Sequence, residues 1–173
     1  MLINQKSRQI MKKRLIIVNG TMGVGKTTVC KALQQKLDKV VWLDGDWCWM
    51  MHPWVFSEAN KRMVADNITY LLRNFLKNAA FDYVIFNWVI HQEAIFDLIL
   101  EQLRDLEFEL HKITLMCSEA ALQTRMRRDQ RDAQVIATSL QRLKLYEVMN
   151  TIKVDTTNLT VAEAVQRIIE IIK

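Results

Sequence analysis

Glycine and proline are scarce in this chain of 173 residues, which holds four glycines and one proline. Cysteine is scarce as well: Cys30, Cys48 and Cys117 are odd in number and form no metal-ligand spacing, which favours a reducing cytoplasm over a disulfide framework. No apolar run approaches the roughly 20 residues of a membrane span, and no repeat or low-complexity segment interrupts the sequence. We therefore expect a soluble single domain with a real core, half of its residues being hydrophobic.

Charge is also missing where it would count for nucleic acid. The net charge is +5, and Lys6, Arg8, Lys12, Lys13 and Arg14 supply five positive charges in a stretch without an acid. The rest of the chain balances 19 basic against 19 acidic residues, so beyond this start and the arginines at 125–131 it offers no basic stripe for a polynucleotide. The basic start lacks an apolar h-region and a small-residue cleavage site, so a secretory signal is not expected. Residues 1–13 are expected to be a flexible basic arm, with Met1 and Met11 both possible starts, and residues 14–173 the folded domain.

Three of the four glycines fall in one place. Leu15-Ile16-Ile17-Val18 leads into Gly20-Thr21-Met22-Gly23-Val24-Gly25-Lys26-Thr27, and Thr28 begins a stretch in which Val29, Leu33 and Leu37 recur at helical spacing. Strand, glycine loop and helix in that order fill the phosphate-loop pattern G-x-x-x-x-G-K-[ST]. Glycines let the backbone N–H groups approach a phosphate, and the helix start adds unpaired donors and a positive dipole end. Lys26 then bridges the outer phosphates of ATP, and the Thr27 hydroxyl faces Mg²⁺.

A second apolar run, Val40 to Leu43, suits a buried parallel strand and ends in Asp44-Gly45-Asp46. Strands of such sheets end at the ligand crevice, so two carboxylates arrive beside the glycine loop, although Asp-Gly-Asp is also a good turn. Phosphoryl transfer to a hydroxyl uses one group to take the acceptor proton and carboxylates to help place Mg²⁺.

The loop, the short helix and Leu43-Asp44-Gly45-Asp46 together resemble the P-loop small-molecule kinases: gluconate, shikimate and adenylylsulfate kinases and chloramphenicol phosphotransferase. The resemblance implies an α/β fold of the nucleoside-monophosphate-kinase type: a doubly wound five-stranded parallel sheet flanked by helices, with a small helical lid at about 124–136. It implies an ATP-dependent phosphotransferase with Mg²⁺, Asp44 being the metal-side residue and Asp46 the acceptor-side base. It also implies lid arginines, with Arg125 on the base and Arg128 or Arg131 on the phosphates, and adenine contacts at Thr156 and Thr157.

Trp47 and Trp49 follow Asp46 directly and either line an apolar mouth for a ring-bearing acceptor or pack under the neighbouring helices. Asn87 stands where a phosphate-loop protein usually has a Walker B carboxylate, and an amide supplies no negative charge for Mg²⁺. His91, at a helix start, faces the crevice in this topology or fills space. An ATP-binding protein that does not transfer phosphate, such as an antibiotic-sequestering resistance factor or a nucleotide sensor, is the alternative that Asn87 favours. The sequence points to no particular acceptor and no oligomeric state.

Overall fold

The structure, a computed structural model, describes residues 12–173. Most of the expected arm and both possible starts lie outside the described residues. Lys13, at its inner end, is tied to the sheet: its Nζ donates to the carbonyl oxygens of Asn78 and Phe81, and its own carbonyl oxygen accepts from Glu109 N at 2.7 Å.

The apolar run at Leu15 becomes strand β1 (Arg14–Asn19), buried from Leu15 onward as a strand covered on both faces must be. The other strands are β2 (Val40–Asp44), β3 (Tyr83–Trp88), β4 (Glu109–Met116) and β5 (Ile152–Asp155). All pairings are parallel and the order is β2-β3-β1-β4-β5, which puts the loop-bearing strand at the centre. Among the described residues six helices complete the domain: α1 (Lys26–Gln34), α2 (Glu58–Lys77), α3 (Glu93–Glu101), α4 (Glu119–Arg128), α5 (Ala133–Glu147) and α6 (Val161–Ile171). This is the expected five-stranded, doubly wound α/β domain.

Alternation along β1 divides the core into two layers. Ile16 and Val18 pack with α1, α4 and α6 through Val29, Leu33, Leu122, Met126, Val165 and Ile168. Leu15 and Ile17 pack with α2 and α3 through Val64, Ile68, Leu72, Phe96 and Ile99. Helix α5 serves both layers, giving Ile136 and Leu143 to the first and Tyr146 to the second, where Met149, just past its end, joins it.

Capping residues mark the helix starts. Ser57 Oγ accepts from Asn60 N, Ser118 Oγ from Ala121 N, and Thr160 with Glu163 forms a reciprocal box. Ile95, Leu98, Ile99, Leu103 and Leu106 keep a helical spacing, but α3 ends at Glu101, since Leu103 N and Leu106 N make turn bonds three residues back instead of extending the helix. Between β2 and α2 stands a 3-10 helix, Gly45–Trp49, that the sequence pattern does not announce. The stretch expected as a lid, 124–136, comprises the end of α4, a turn at 129–132 with Gln130 at φ 53°, and the start of α5.

Candidate active site

The glycine loop delivers its residues to the carboxyl end of the central strand. Gly25 precedes α1 at φ 105°, a left-handed conformation that glycine adopts without steric cost. No side chain caps this helix start, so its first N–H groups remain available as donors. Val24 is buried and anchors the loop, whereas Met22, Thr27 and Thr28 are exposed at its rim. Thr21 Oγ1 donates to Ser139 O at 2.9 Å, fastening the loop to α5.

Lys26 is 8% exposed and its Nζ turns back onto the loop, donating to Gly20 O at 2.9 Å and Thr21 O at 3.0 Å. Burial lowers its pKa to about 8, against the opposing pull of Asp46 and Asp44. Thr27 Oγ1 donates to Asp44 Oδ2 at 2.7 Å, and the other carboxylate oxygen accepts from Asp46 N at 3.0 Å. Asp44 therefore both starts the 3-10 helix and grips the loop threonine. Gly45 is required between the two aspartates because a Cβ there would lie 2.5 Å from the Trp88 ring. The Asp46 carboxyl sits above the usual carboxylate range, first through partial burial and then through the Asp44 charge, with Lys26 and Arg131 pulling it back.

Asn87 is aligned with Asp44 on one side and Val18 on the other, and is 1% exposed. Its Oδ1 accepts from Trp42 Nε1 at 2.6 Å. The Trp42 ring in turn meets the half-exposed Trp47 ring at 4.9 Å between centroids. Trp49 is partly buried against the α2 layer and faces Trp54 and Phe56 at 6.0 and 5.6 Å.

Arg125 closes the other flank of the loop. Its Nη1 donates to Val24 O at 3.2 Å and Thr156 Oγ1 at 3.1 Å, and its Nη2 to Thr156 O at 2.6 Å. Thr156 Oγ1 donates to Met116 O at 3.0 Å, while Thr157 Oγ1 donates to Asp155 Oδ1 at 2.6 Å and accepts from Ser118 N at 2.9 Å. The two threonine side chains thus hold the ends of β4 and β5 together. The two remaining arginines differ in setting: Arg128 is 79% exposed beside Asp129, whereas the Arg131 charge acts on Asp46.

His91 lies between β3 and α3 with Nδ1 buried and unpaired among the described residues. Burial, then the neighbouring Arg142 charge, lowers its pKa. Sequence reading passed over Asn19, which is fully buried at the end of β1. Its Nδ2 donates to Ile90 O at 2.9 Å and its Oδ1 accepts from Thr114 Oγ1 at 2.6 Å, so it ties three strand ends together below the loop. An amide closing an apolar strand just before the glycine loop was the available signal.

Known proteins share this arrangement. A tunicamycin resistance protein from Deinococcus radiodurans superposes with a TM-score of 0.68 at 21% identity, over 93% of this chain and 96% of that one. A gluconokinase from Sinorhizobium meliloti gives 0.64 at 16% identity, over 94% and 96%. A shikimate kinase from Acinetobacter baumannii, in complex with shikimate, gives 0.62 at 19% identity, over 94% of both chains. At such identities the likeness establishes the fold, that of P-loop small-molecule kinases. No protein of curated function matches the sequence. A family model, the AAA domain, matches residues 16–142, from the strand before the loop into α5. The chain belongs to that AAA-domain family of P-loop proteins.

Proposed function

We propose that the chain is an ATP-dependent phosphotransferase that moves the γ-phosphoryl group to a hydroxyl of a small molecule. The observation that carries this reading is the 2.7 Å bond from Thr27 Oγ1 to Asp44 Oδ2, which joins the glycine loop to the Asp-x-Asp stretch. A bare capped turn has no need of that bond.

In this reading the loop N–H groups hold the phosphates, and Lys26 leaves the Gly20 and Thr21 carbonyl oxygens for the phosphate oxygens. The acceptor oxygen forms its bond to the γ-phosphorus as the bond to the departing ADP oxygen breaks. Asp46 takes the hydroxyl proton, and its raised pKa suits a base working nearer neutrality. A hydroxyl and a carboxylate side by side, Thr27 and Asp44, form a donor set that fits Mg²⁺, which keeps several waters and shares phosphate oxygens. Mg²⁺ bound there would neutralise charge on the phosphates. Arg131, near Asp46, serves the transferring group, and Arg125 with the backbone at Thr156 and Thr157 borders the adenine. Trp47, Trp49 and His91 stand on the acceptor side. Free Cys30, Cys48 and Cys117 fit a reducing compartment such as the cytoplasm.

The test is phosphate transfer from ATP–Mg²⁺ across sugar acids, nucleosides, nucleotides and hydroxylated antibiotics, in wild type, Lys26→Ala and Asp46→Asn. Acceptor-dependent ADP release that both substitutions lower by about 10²-fold or more is expected. Unchanged turnover in Asp46→Asn would remove it from the base role.

A second reading, an ATP-binding protein without transfer such as a resistance factor that sequesters an antibiotic, is favoured by Asn87. Its oxygen already accepts from Trp42, so it stands as a structural acceptor and brings no charge. Under this reading ATP binds, Lys26→Ala weakens binding, no acceptor stimulates ADP release, and Asn87→Asp, which keeps the Trp42 acceptor, brings turnover up.

A further inference from the structure

Between Asp46 and Ser57 the sequence is Trp-Cys-Trp-Met-Met-His-Pro-Trp-Val-Phe, without a lysine, arginine, aspartate or glutamate. In the fold this stretch is a ledge and only partly core. Trp49, Trp54 and Phe56 form a triangle with centroids 6.0, 5.6 and 5.7 Å apart, and two of its three contacts are stacked. Trp49 is its inner, partly buried corner, whereas Trp54 is 63% and Phe56 62% exposed. Met50 and Val55 extend the exposed apolar surface. A contiguous apolar patch of this kind, built from large aromatics, marks a binding surface more than a chance of composition.

The ledge is physically continuous with Asp46. Both Asp46 and Trp49 belong to the 3-10 helix Gly45–Trp49. In such a helix the side chains at i and i+3 eclipse, and three residues advance about 6 Å. Asp46 and Trp49 therefore share one face, separated by roughly the width of a sugar ring. A hydroxyl presented to Asp46 has the aromatic ledge as the next surface that the rest of its molecule meets. The charges at the rim belong to α2. The cation that the described residues place over the ledge is Lys61, 5.0 Å from the Phe56 ring centroid and already bonded to Glu58.

We infer that the acceptor is amphipathic: a hydroxylated compound whose uncharged aryl or hydrocarbon part lies on Trp49, Trp54 and Phe56. The inference rests on the reading of Asp46 as the acceptor-side base and adds the substrate class that this site selects. Trp54 and Phe56 are then specificity-determining residues outside the phosphate-handling machinery. Polyanionic acceptors and small bare sugar acids gain nothing from such a surface.

Methyl, hexyl and octyl β-D-glucoside carry the same hydroxyls on apolar chains of increasing length. Below micelle formation, their binding to the full chain is followed by tryptophan fluorescence and, in parallel, by phosphate transfer from ATP–Mg²⁺. Wild type, Asp46→Asn and the double variant Trp54→Ala/Phe56→Ala are compared, each checked for unchanged ATP binding and for mass by sedimentation. Each methylene taken out of water is worth about fourfold in affinity. The expected result is affinity that rises at least tenfold from methyl to octyl, with the rise flattened in the double variant and kept in Asp46→Asn. Flat binding in wild type, or an equal rise in the double variant, overturns the inference. So does a dimer of wild type that the double variant makes monomeric, because the ledge then belongs to a second copy of the chain. Transfer to small polar acceptors that exceeds transfer to the octyl glucoside, and that the double variant leaves unchanged, also overturns it and leaves the phosphotransferase reading standing. Chain-length-dependent binding that vanishes in the double variant with no transfer to any acceptor has the opposite meaning: the ledge stands and the phosphotransferase reading falls.

Discussion

Around the glycine loop the polar side chains already have partners: Lys26 on two loop carbonyl oxygens, Thr27 on Asp44, Arg125 on Val24 and Thr156. A few residues beyond Asp46, Trp54 and Phe56 present their rings to solvent and carry one polar atom between them, the indole nitrogen. The first region is held by directional bonds, many to the backbone, and tolerates little variation in residue type. The second is a surface of apolar area, which many side chains supply equally well. That contrast explains why a motif marks the phosphate side and only composition marks the acceptor side. It also predicts that damage to the loop's supports affects folding and ATP together, whereas changes at the ledge affect the acceptor alone.

The largest expected effect tests how far the rigid region depends on its foundation. Asn19→Ala removes the donor to Ile90 O and the acceptor of Thr114 Oγ1, both in a fully buried setting. An unsatisfied Ile90 carbonyl, the loss of the Thr114 bond, whose hydroxyl keeps only Thr151 Oγ1, and a small cavity cost about 3 kcal/mol. Urea unfolding should show the loss as a lower midpoint at constant slope. A loss under about 0.5 kcal/mol, the size typical of a surface substitution, would mean that the loop does not rest on this network.

Asn19 also shows what the sequence leaves unread. The β1 run, the loop, the Asp-Gly-Asp stretch and the helix caps at Ser57, Ser118 and Thr160 are local patterns, and each is found where its pattern places it. Asn19 acts through Ile90 and Thr114, and separations of that length leave no local trace. Ile95, Leu98, Ile99, Leu103 and Leu106 repeat at the spacing of one helix face, but α3 ends at Glu101 and Leu103 is buried from a turn, so burial alone repeats like a helix there. The 3-10 helix was hidden for another reason. Asp44 is its cap as well as the partner of Thr27, so the turn and the site are the same residues. Trp54 and Phe56 were legible as apolar, but their exposure is set by how the 3-10 helix leads into α2.

A smaller effect separates the regions by pH. Lys26 has its pKa lowered to about 8 by burial, so between about pH 8 and 10.5 the unfolded chain binds a proton at this position that the folded chain does not. Stability from this residue therefore rises with pH through that window, while Cys30 and Tyr146, held above their usual values by burial, work in the other direction. Comparison with Lys26→Met isolates the lysine. The variant should be the more stable protein at pH 7 by about 2 kcal/mol, and the gap should close toward pH 10. A gap independent of pH would mean that Lys26 is charged in the free protein throughout. Trp54→Ala should leave the wild-type profile unchanged.

The smallest effect concerns the seam between the loop and the end of β5. Thr156→Val keeps the shape of the residue and the carbonyl oxygen that accepts from Arg125 Nη2, but removes the hydroxyl that accepts from Nη1 and donates to Met116 O. Loss of these bonds should cost about 1 kcal/mol of stability. Arg125 keeps two of its three contacts, so its guanidinium stays in place while its position loosens. If it borders the adenine, calorimetric titration should show ATP binding weakened about threefold, with binding of inorganic triphosphate unchanged, because the loop N–H groups and Lys26 are untouched. Equal weakening for both ligands would place the action of Arg125 on the phosphates through Val24. Unchanged ATP binding would make the arginine a clasp between α4 and the β5 end, and would confine nucleotide recognition to the glycine loop.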